Sequence, residues 1–458
     1  MSNEFDFKKD CDKIAFDRGH RAKLKFNIGK YDLAVKKGKA QYSNLELAKD
    51  RAGLIKYRAV NDLEKYLVEF EAKFTTRGGK VIWAQDAKEA LKEIEQIIRK
   101  FGIKRVVKSK SMVSEELELN DFLKKKSVNS VETDLGEYIV QLAGEKPYHI
   151  ITPAMHKNRE EIALLFNQKF GLDKEASASE ITQFVRERLR EEFLSADCGI
   201  TGANFIVADS GAIALTENEG NAIRSLSNKG VHIVIVGIEK VLPSVDDLDL
   251  FWPLLATHGS GQELTVYNSL VYGPRQENET DGPSEMFVIL LDNGRTNVLA
   301  KEEQRVALAC IRCGACLNGC PVYKNIGGYT YGTTYTGPIG AVIEPHLNGI
   351  ENFSHLSFAS SLCGKCTEVC PVRIPLHKLL LANRREAVEA GFMPGNWNTG
   401  MKVSKTLLKK RRWLDLLSAN QKNFLLKYFA AGLWGKRREL PSIAKKNFYQ
   451  LWKENKLD

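Results

Sequence analysis

Seven of the nine cysteines crowd into residues 310–370. Cys310, Cys313, Cys316 and Cys320 follow the pattern C-x2-C-x2-C-x3-C with Pro321 next, and Cys363, Cys366 and Cys370 follow C-x2-C-x3-C with Pro371 next. Laid over each other at an offset of 50 residues, CGACLNGCPV matches CGKCTEVCPV, and the first cysteine of the second copy is replaced by Ser360. Clustered cysteine in a reducing cytosol binds metal rather than forming disulfides. Two-residue gaps let three thiolates wrap one iron–sulfur cube, while the cysteine before proline ligates the neighbouring cube. The spacing therefore assigns Cys310, Cys313, Cys316 and Cys370 to one [4Fe–4S] cluster, and Cys320, Cys363 and Cys366 to a second. One iron of the second cluster lacks a cysteine. Ser360, Ser361, a water or a partner's group completes it, or that iron is absent and the centre is [3Fe–4S]; the sequence leaves these open. Zinc would favour paired C-x2-C hooks giving four ligands. Cys11 and Cys198 lie far off in sequence and read as packing residues.

Other residues could meet a small acid. Thr201–Gly202–Ala203–Asn204 and Glu217–Asn218–Glu219–Gly220–Asn221 bracket two strand-like runs, and Lys108, Lys110 and Ser111 follow another. Polar groups at strand ends are where α/β folds bind ligands, and a lysine beside hydroxyls suits a carboxylate. Glu217 is the candidate acid/base residue, followed by Asp134 and Glu137; caps and turns are the competing reading. His156, His232 and His258 have no metal-ligand spacing and read as structural. THGSGQE lacks the strand-to-helix context of a dinucleotide fingerprint, and no P-loop occurs. An iron–sulfur centre takes electrons singly and is a poor primary acceptor for hydroxy-acid oxidation, so electron transfer is the expected role.

These residues need positioning elements. Residues 1–65 carry apolar positions at helical spacing. Next, KVIWA (80–84), RVVKS (105–109), YHIIT (148–152), NFIVA (204–208), AIALT (212–216), VHIVIVGI (231–238) and MFVILL (286–291) read as strands. Helical stretches at 86–101 and in SEELELNDFLKKK lie among them, which implies a parallel or mixed sheet covered on both faces. KEEQRVALACIRC reads as a helix entering the first cysteine run, and IPLHKLLLANRREAVEAG (374–391) as a helix ending in glycine. The Gly-, Thr- and Tyr-rich loop 325–340 is placed to shield a cluster and offer it N–H donors. The expected domains are a helical extension (1–65), an α/β domain (66–295), a ferredoxin-type domain (296–385) and a basic helical domain (386–458).

Composition is that of an ordinary globular chain: 458 residues, 43% hydrophobic and 27% charged. The net charge of +10 resides in the tail, where residues 401–458 hold 15 Lys+Arg against 4 Asp+Glu. A nucleic-acid enzyme would spread such charge along a groove, so no nucleic-acid partner is expected. The tail, with Lys409–Arg412 and Lys436–Arg438, points to an acidic companion or an anionic membrane near a quinone. Within it, Trp413, Leu416, Leu417 and Phe424 are expected to share a helix face opposite Lys409–Arg412. No apolar run reaches the ~18 residues of a membrane span, and no secretory h-region opens the chain, so a soluble, cytoplasmic protein is expected, peripheral to the inner membrane at most.

RVVKSKSMVSEELELN (105–120), ETDLGEYIVQL (132–142), PYHIITPAMHKNREEI (147–162) and GITGANFIVADSGAIALTENEGN (199–221), with the double cysteine motif behind them, resemble the lactate utilization protein B family over nearly the whole chain. The resemblance implies an α/β LUD domain related to ribose-isomerase and CoA-transferase-like proteins. It implies a role in oxidising L-lactate to pyruvate alongside companion lactate utilization proteins A and C, with electrons passing through two [4Fe–4S] clusters. A serine in the slot of Ser360 also fits the family. The rival reading makes this chain the catalytic subunit, binding and oxidising a 2-hydroxy acid itself.

Overall fold

The computed structural model describes residues 2–227, 230–392, 395–409, 413, 416–430 and 439–454. The chain divides into two compact units, residues 1–387 and 388–458.

In the first unit, four helices lead: Ser2–Ala15, Arg18–Gly38, Leu45–Asn61 and Leu63–Thr75. Asp17 and Asn44 start the second and third by accepting the N–H of His20 and Leu47. A six-stranded sheet follows from β1 (Lys80–Ala84), β2 (Arg105–Lys108), β3 (Asn129–Glu132), β4 (Cys198–Thr201), β7 (Val231–Gly237) and β10 (Glu285–Leu291). All its strands are parallel, in the order β1-β10-β7-β4-β2-β3. The central runs are apolar because both faces are covered. Ile233, Ile235, Phe287, Ile289 and Leu291 pack toward Ile94, Ile97 and Ile98 of helix Ala87–Phe101. The alternate residues Val234, Val236, Met286, Val288 and Leu290 pack toward Leu67, Phe70 and Phe74 of helix Leu63–Thr75. A second, four-stranded sheet has the order β8-β5-β6-β9, formed by β5 (Phe205–Val207), β6 (Ala212–Glu217), β8 (Val241–Leu242) and β9 (Tyr267–Val271).

The mixed α/β architecture matches the expectation, with local departures. YHIIT (148–152) is not a strand. Pro147 and Pro153 flank it, the Tyr148 N–H donates to the Pro153 carbonyl at 2.9 Å, and His149 Nδ1 accepts from the Ile151 and Thr152 N–H groups. Its polar backbone is thus satisfied within a buried turn. SEELELNDFLKKK breaks into Met112–Glu116 and Leu119–Lys125 at Glu118, whose φ is +50°. The approach to the first cysteine is a 3-10 helix, Gln304–Ala309. The sequence pattern does not predict β3, β4, β8 and β9, which read NSVE, CGIT, VL and YNSLV.

In the second unit, helices Gly395–Lys409, Ala419–Leu425 and Phe448–Lys453 are described. Ser418 caps the middle one, donating and accepting reciprocally with Gln421. Trp413, Leu416 and Leu417 therefore precede a helix start and do not share a helix with Phe424. Residues 410–412 and 431–438, with the charged runs expected there, lie outside the described residues. Among the described residues no helix is long and apolar enough to cross a membrane.

Candidate metal centre and the cavity beside it

The repeat seen in sequence recurs in the backbone. Arg312 and Leu362 hold equivalent places and both take left-handed conformations, φ +61° and +55°. Gly314 and Gly364 follow at +74° and +80° and cap the short helices Ala315–Gly319 and Lys365–Glu368. Folding the chain this way aims the Arg312 N–H at Cys310 Sγ, 3.4 Å away. In the second copy the Leu362 N–H reaches Ser360 Oγ at 3.1 Å. The serine oxygen thus stands where the first copy has its leading thiol.

Cys310, Cys313, Cys316 and Cys370 line one cavity walled by Ile311, Leu317, Ile339 and Ile374. Burial raises the Cys316 thiol, and the neighbouring charges of Cys310, Cys313 and Cys370 raise it further. Cys320, Cys363 and Cys366 form a second neighbourhood. Burial first, then Cys320 and Cys363, push Cys366 up to about 11. The first group is mostly buried, whereas Cys363 is exposed. Further N–H groups reach sulfur from Tyr323 to Cys320 and from Ile374 to Cys370, at 3.5 and 3.4 Å. Ile339, at the start of helix Gly337–Leu347, offers its N–H to Cys316. Convergent thiols, apolar walls and inward N–H donors fit thiolate-bound iron–sulfur clusters. Cys11 and Cys198 stand in neither group.

A larger cavity, about 450 Å³, opens at the carboxyl edge of the parallel sheet. Residues after β2 (Ser109, Lys110, Ser111), after β4 (Gly202, Asn204) and after β7 (Lys240) line it, and Arg312 and Cys313 complete the wall. A buried ion network ties this wall to the sheet. Arg295 donates to Glu239 at 2.6 Å and to both oxygens of Glu116 at 2.9 Å, and Tyr335 donates to Glu116 at 2.6 Å. Arg312 reaches Glu239 at 3.4 Å and lies over the Tyr335 ring. Against the cost of burial, Arg295 and Arg312 hold the Glu239 carboxyl down to about 2.

The residues expected to meet a small acid are brought close but mostly occupied. Glu217 lines the cavity, yet its two oxygens accept the N–H groups of Ala222 and Ile223, at 2.7 and 2.8 Å, and cap helix Asn221–Leu226. Asp134 caps helix Leu135–Ala143 and pairs with Lys110 at 3.1 Å. Lys108 is fully buried among Glu132, Glu115 and Ser114. Burial first, then Glu132, keep Glu137 well above the ordinary carboxylate range. Carboxylates of Glu115, Glu132 and Glu137 gather within 4.8 Å of one another, and the Lys108 ammonium already holds the cation's place there. His156 bonds Glu145, His232 bonds Thr201 and His258 bonds the Leu254 carbonyl, as structural residues do. Sequence spacing gave no hint of Glu116, Glu239, Lys240 or Arg295, which are isolated charged residues brought together only by the fold.

An α/β domain carrying a two-copy cysteine motif defines the class: an iron–sulfur protein built on a LUD domain. The LUD domain family matches residues 67–291, and the 4Fe-4S dicluster domain family matches residues 306–374. Lactate utilization protein B of Bacillus cytotoxicus is 40% identical over 428 residues, spanning 91% of this chain and 90% of that one. The same-named protein of Bacillus thuringiensis is 46% identical over 335 residues, 73% and 70% of the two chains. The uncharacterized electron transport protein YkgF of Escherichia coli is 39% identical over 424 residues, 89% and 88%. This chain belongs to the lactate utilization protein B family.

Proposed function

We propose that this protein carries electrons released as L-lactate, or a similar 2-hydroxy acid, is oxidised to pyruvate, working with companion lactate utilization proteins A and C. Two iron–sulfur clusters supply one-electron transfer when bound. Cys310, Cys313, Cys316 and Cys370 hold one, and Cys320, Cys363 and Cys366 hold the other as a [4Fe–4S] centre. Ser360 Oγ supplies that centre's fourth ligand, a reading supported by its match to the Cys310 position. One observation carries the proposal: the first cysteine set is buried beside the large cavity, while the second reaches the surface at Cys363. Electrons therefore enter from inside the α/β domain and leave through the Cys363 face. The basic tail serves an acidic companion or an anionic membrane bearing a quinone acceptor.

The test assembles this chain anaerobically with its two companions and adds L-lactate. Bleaching of the visible iron–sulfur absorption is expected, and Cys313→Ala or Cys366→Ala should abolish it. An unchanged spectrum in the complete, iron-loaded assembly contradicts the reading. Salt-sensitive capture of the companions, lost on deleting residues 401–458, tests the tail.

A further inference from the structure

Lysine and arginine are seldom buried unless a carboxylate answers their charge. Among the described residues five such side chains are buried: Lys49, Lys56, Lys108, Lys240 and Arg295. Lys108 and Arg295 have buried glutamates as partners. The other three stand around the first cysteine set. Lys49 and Lys56 lie about two turns apart on helix Leu45–Asn61, in one buried stripe with Ala52 and Ala59. Between them Gly53 brings this helix against the loop after Cys370, where a Cβ would stand 3.1 Å from the Val372 carbonyl oxygen. Ala52 shares its core with Cys313, Cys316 and Cys370. Lys49 donates to the Glu368 carbonyl at 2.9 Å, and its carboxylate contact is the exposed Glu46, at 3.3 Å and shared with Arg373. Lys56 donates to the carbonyls of Glu239 and Val241, at 2.7 and 3.1 Å. Lys240, between those two residues in the chain, has no hydrogen bond or ion pair among the described residues, and the Glu239 carboxylate is taken by Arg295 and Arg312. Burial, with neighbouring cations, lowers Lys56 to about 7 and Lys240 to about 8, while Glu239 and Cys310 pull both the other way. A carbonyl satisfies a donor but leaves its charge standing.

We propose that Lys56 and Lys240 are fixed counter-charges that raise the reduction potential of the first cluster. This rests on the proposed function, which puts that cluster at Cys310, Cys313, Cys316 and Cys370. A cube held by four thiolates is an anion, and an added electron makes it more negative. Positive charge held beside it in a water-poor interior therefore favours the reduced form over the oxidised one. The two lysines act through space as positioning charges and touch no reacting atom. The second set reaches solvent at Cys363, where water screens such charges. The first cluster thus becomes the better electron acceptor on the side where electrons enter.

The test is a redox titration of the full, iron-loaded chain, followed by EPR under anaerobic conditions. Two reduction waves are expected. Lys56→Met and Lys240→Met should each move the same wave to lower potential and leave the other in place. The double variant should move that wave further, and Lys240→Arg, which keeps the charge, should hold the parent value. Cys363→Ser should perturb the unmoved wave, which assigns the moving one to the first set. Iron, sulfide and melting temperature are measured on every variant. Waves that stay in place in iron-loaded methionine variants overturn the tuning role and leave the clusters standing. A shift confined to the wave that Cys363→Ser perturbs, or shared equally by both, overturns it too. Loss of iron from the methionine variants would make the lysines structural and overturn it as well. A parent chain that takes up no iron and sulfide removes the proposed function itself.

Discussion

At the scale of single residues, Ser360 separates this chain from a complete two-cluster ferredoxin. Its oxygen accepts the Leu362 N–H just as Cys310 Sγ accepts that of Arg312, so the local backbone holds position 360 as it holds position 310. Ser360→Ala should drop the iron content from about eight to about seven and bring up an oxidised-state EPR signal of a [3Fe–4S] centre. Unchanged iron and EPR would show that the serine does not ligate. Glu239 is a second such residue. Replacing it with Gln leaves Arg312 buried without its counter-ion and Arg295 with Glu116 alone, and removing one partner of a buried pair costs about 3–5 kcal/mol. Chemical denaturation measures that loss; a change below 1 kcal/mol would contradict the network's role. Titration adds a third test. Burial lowers His232 from 6.5 to about 3, so between those values the unfolded chain binds more protons than the folded one. Its contribution is complete above about pH 6.5 and is lost as the pH falls toward 3. His232→Gln should flatten the stability profile across that window.

At the scale of elements, what was legible followed from pattern strength. The strands β1, β2, β5, β6, β7 and β10 announce themselves through Val- and Ile-rich runs, and two are long because neighbours bury them on both faces. YHIIT has the same composition but its prolines and the His149 ring satisfy its backbone in a turn, which no propensity reveals. The cysteine motif was readable because ligand spacing is local. The charged wall was not: Glu116, Glu239, Arg295 and Arg312 come from four separate elements and meet only after the sheet forms. Glu217 shows the converse. Its place at a strand end suggested chemistry, and the structure gives it the cap of helix Asn221–Leu226. Glu217→Ala should cost about 1–2 kcal/mol, as cap removal does, with iron content retained. Full stability with lost lactate-driven reduction would move Glu217 into the chemistry.

At the scale of the whole molecule, the first unit is organised around a path. The parallel sheet ends at a cavity, the cavity wall is the first cysteine loop, and the second cysteine set reaches the surface at Cys363. Helices Arg18–Gly38 and Leu45–Asn61 brace this arrangement by burying Leu24, Ile28 and Ala52 in the core that holds Cys313, Cys316, Cys320, Cys366 and Cys370. That core excludes water from Cys313, Cys316 and Cys370, and of the second set it buries Cys320 and Cys366 while Cys363 stays exposed. The measurement that bears most directly on this account is iron and acid-labile sulfide counting on anaerobically purified protein, with EPR of the oxidised and dithionite-reduced forms. The account predicts about eight irons and eight sulfides with a reduced-state signal from two [4Fe–4S] clusters. Zinc without sulfide at the seven cysteines would contradict it.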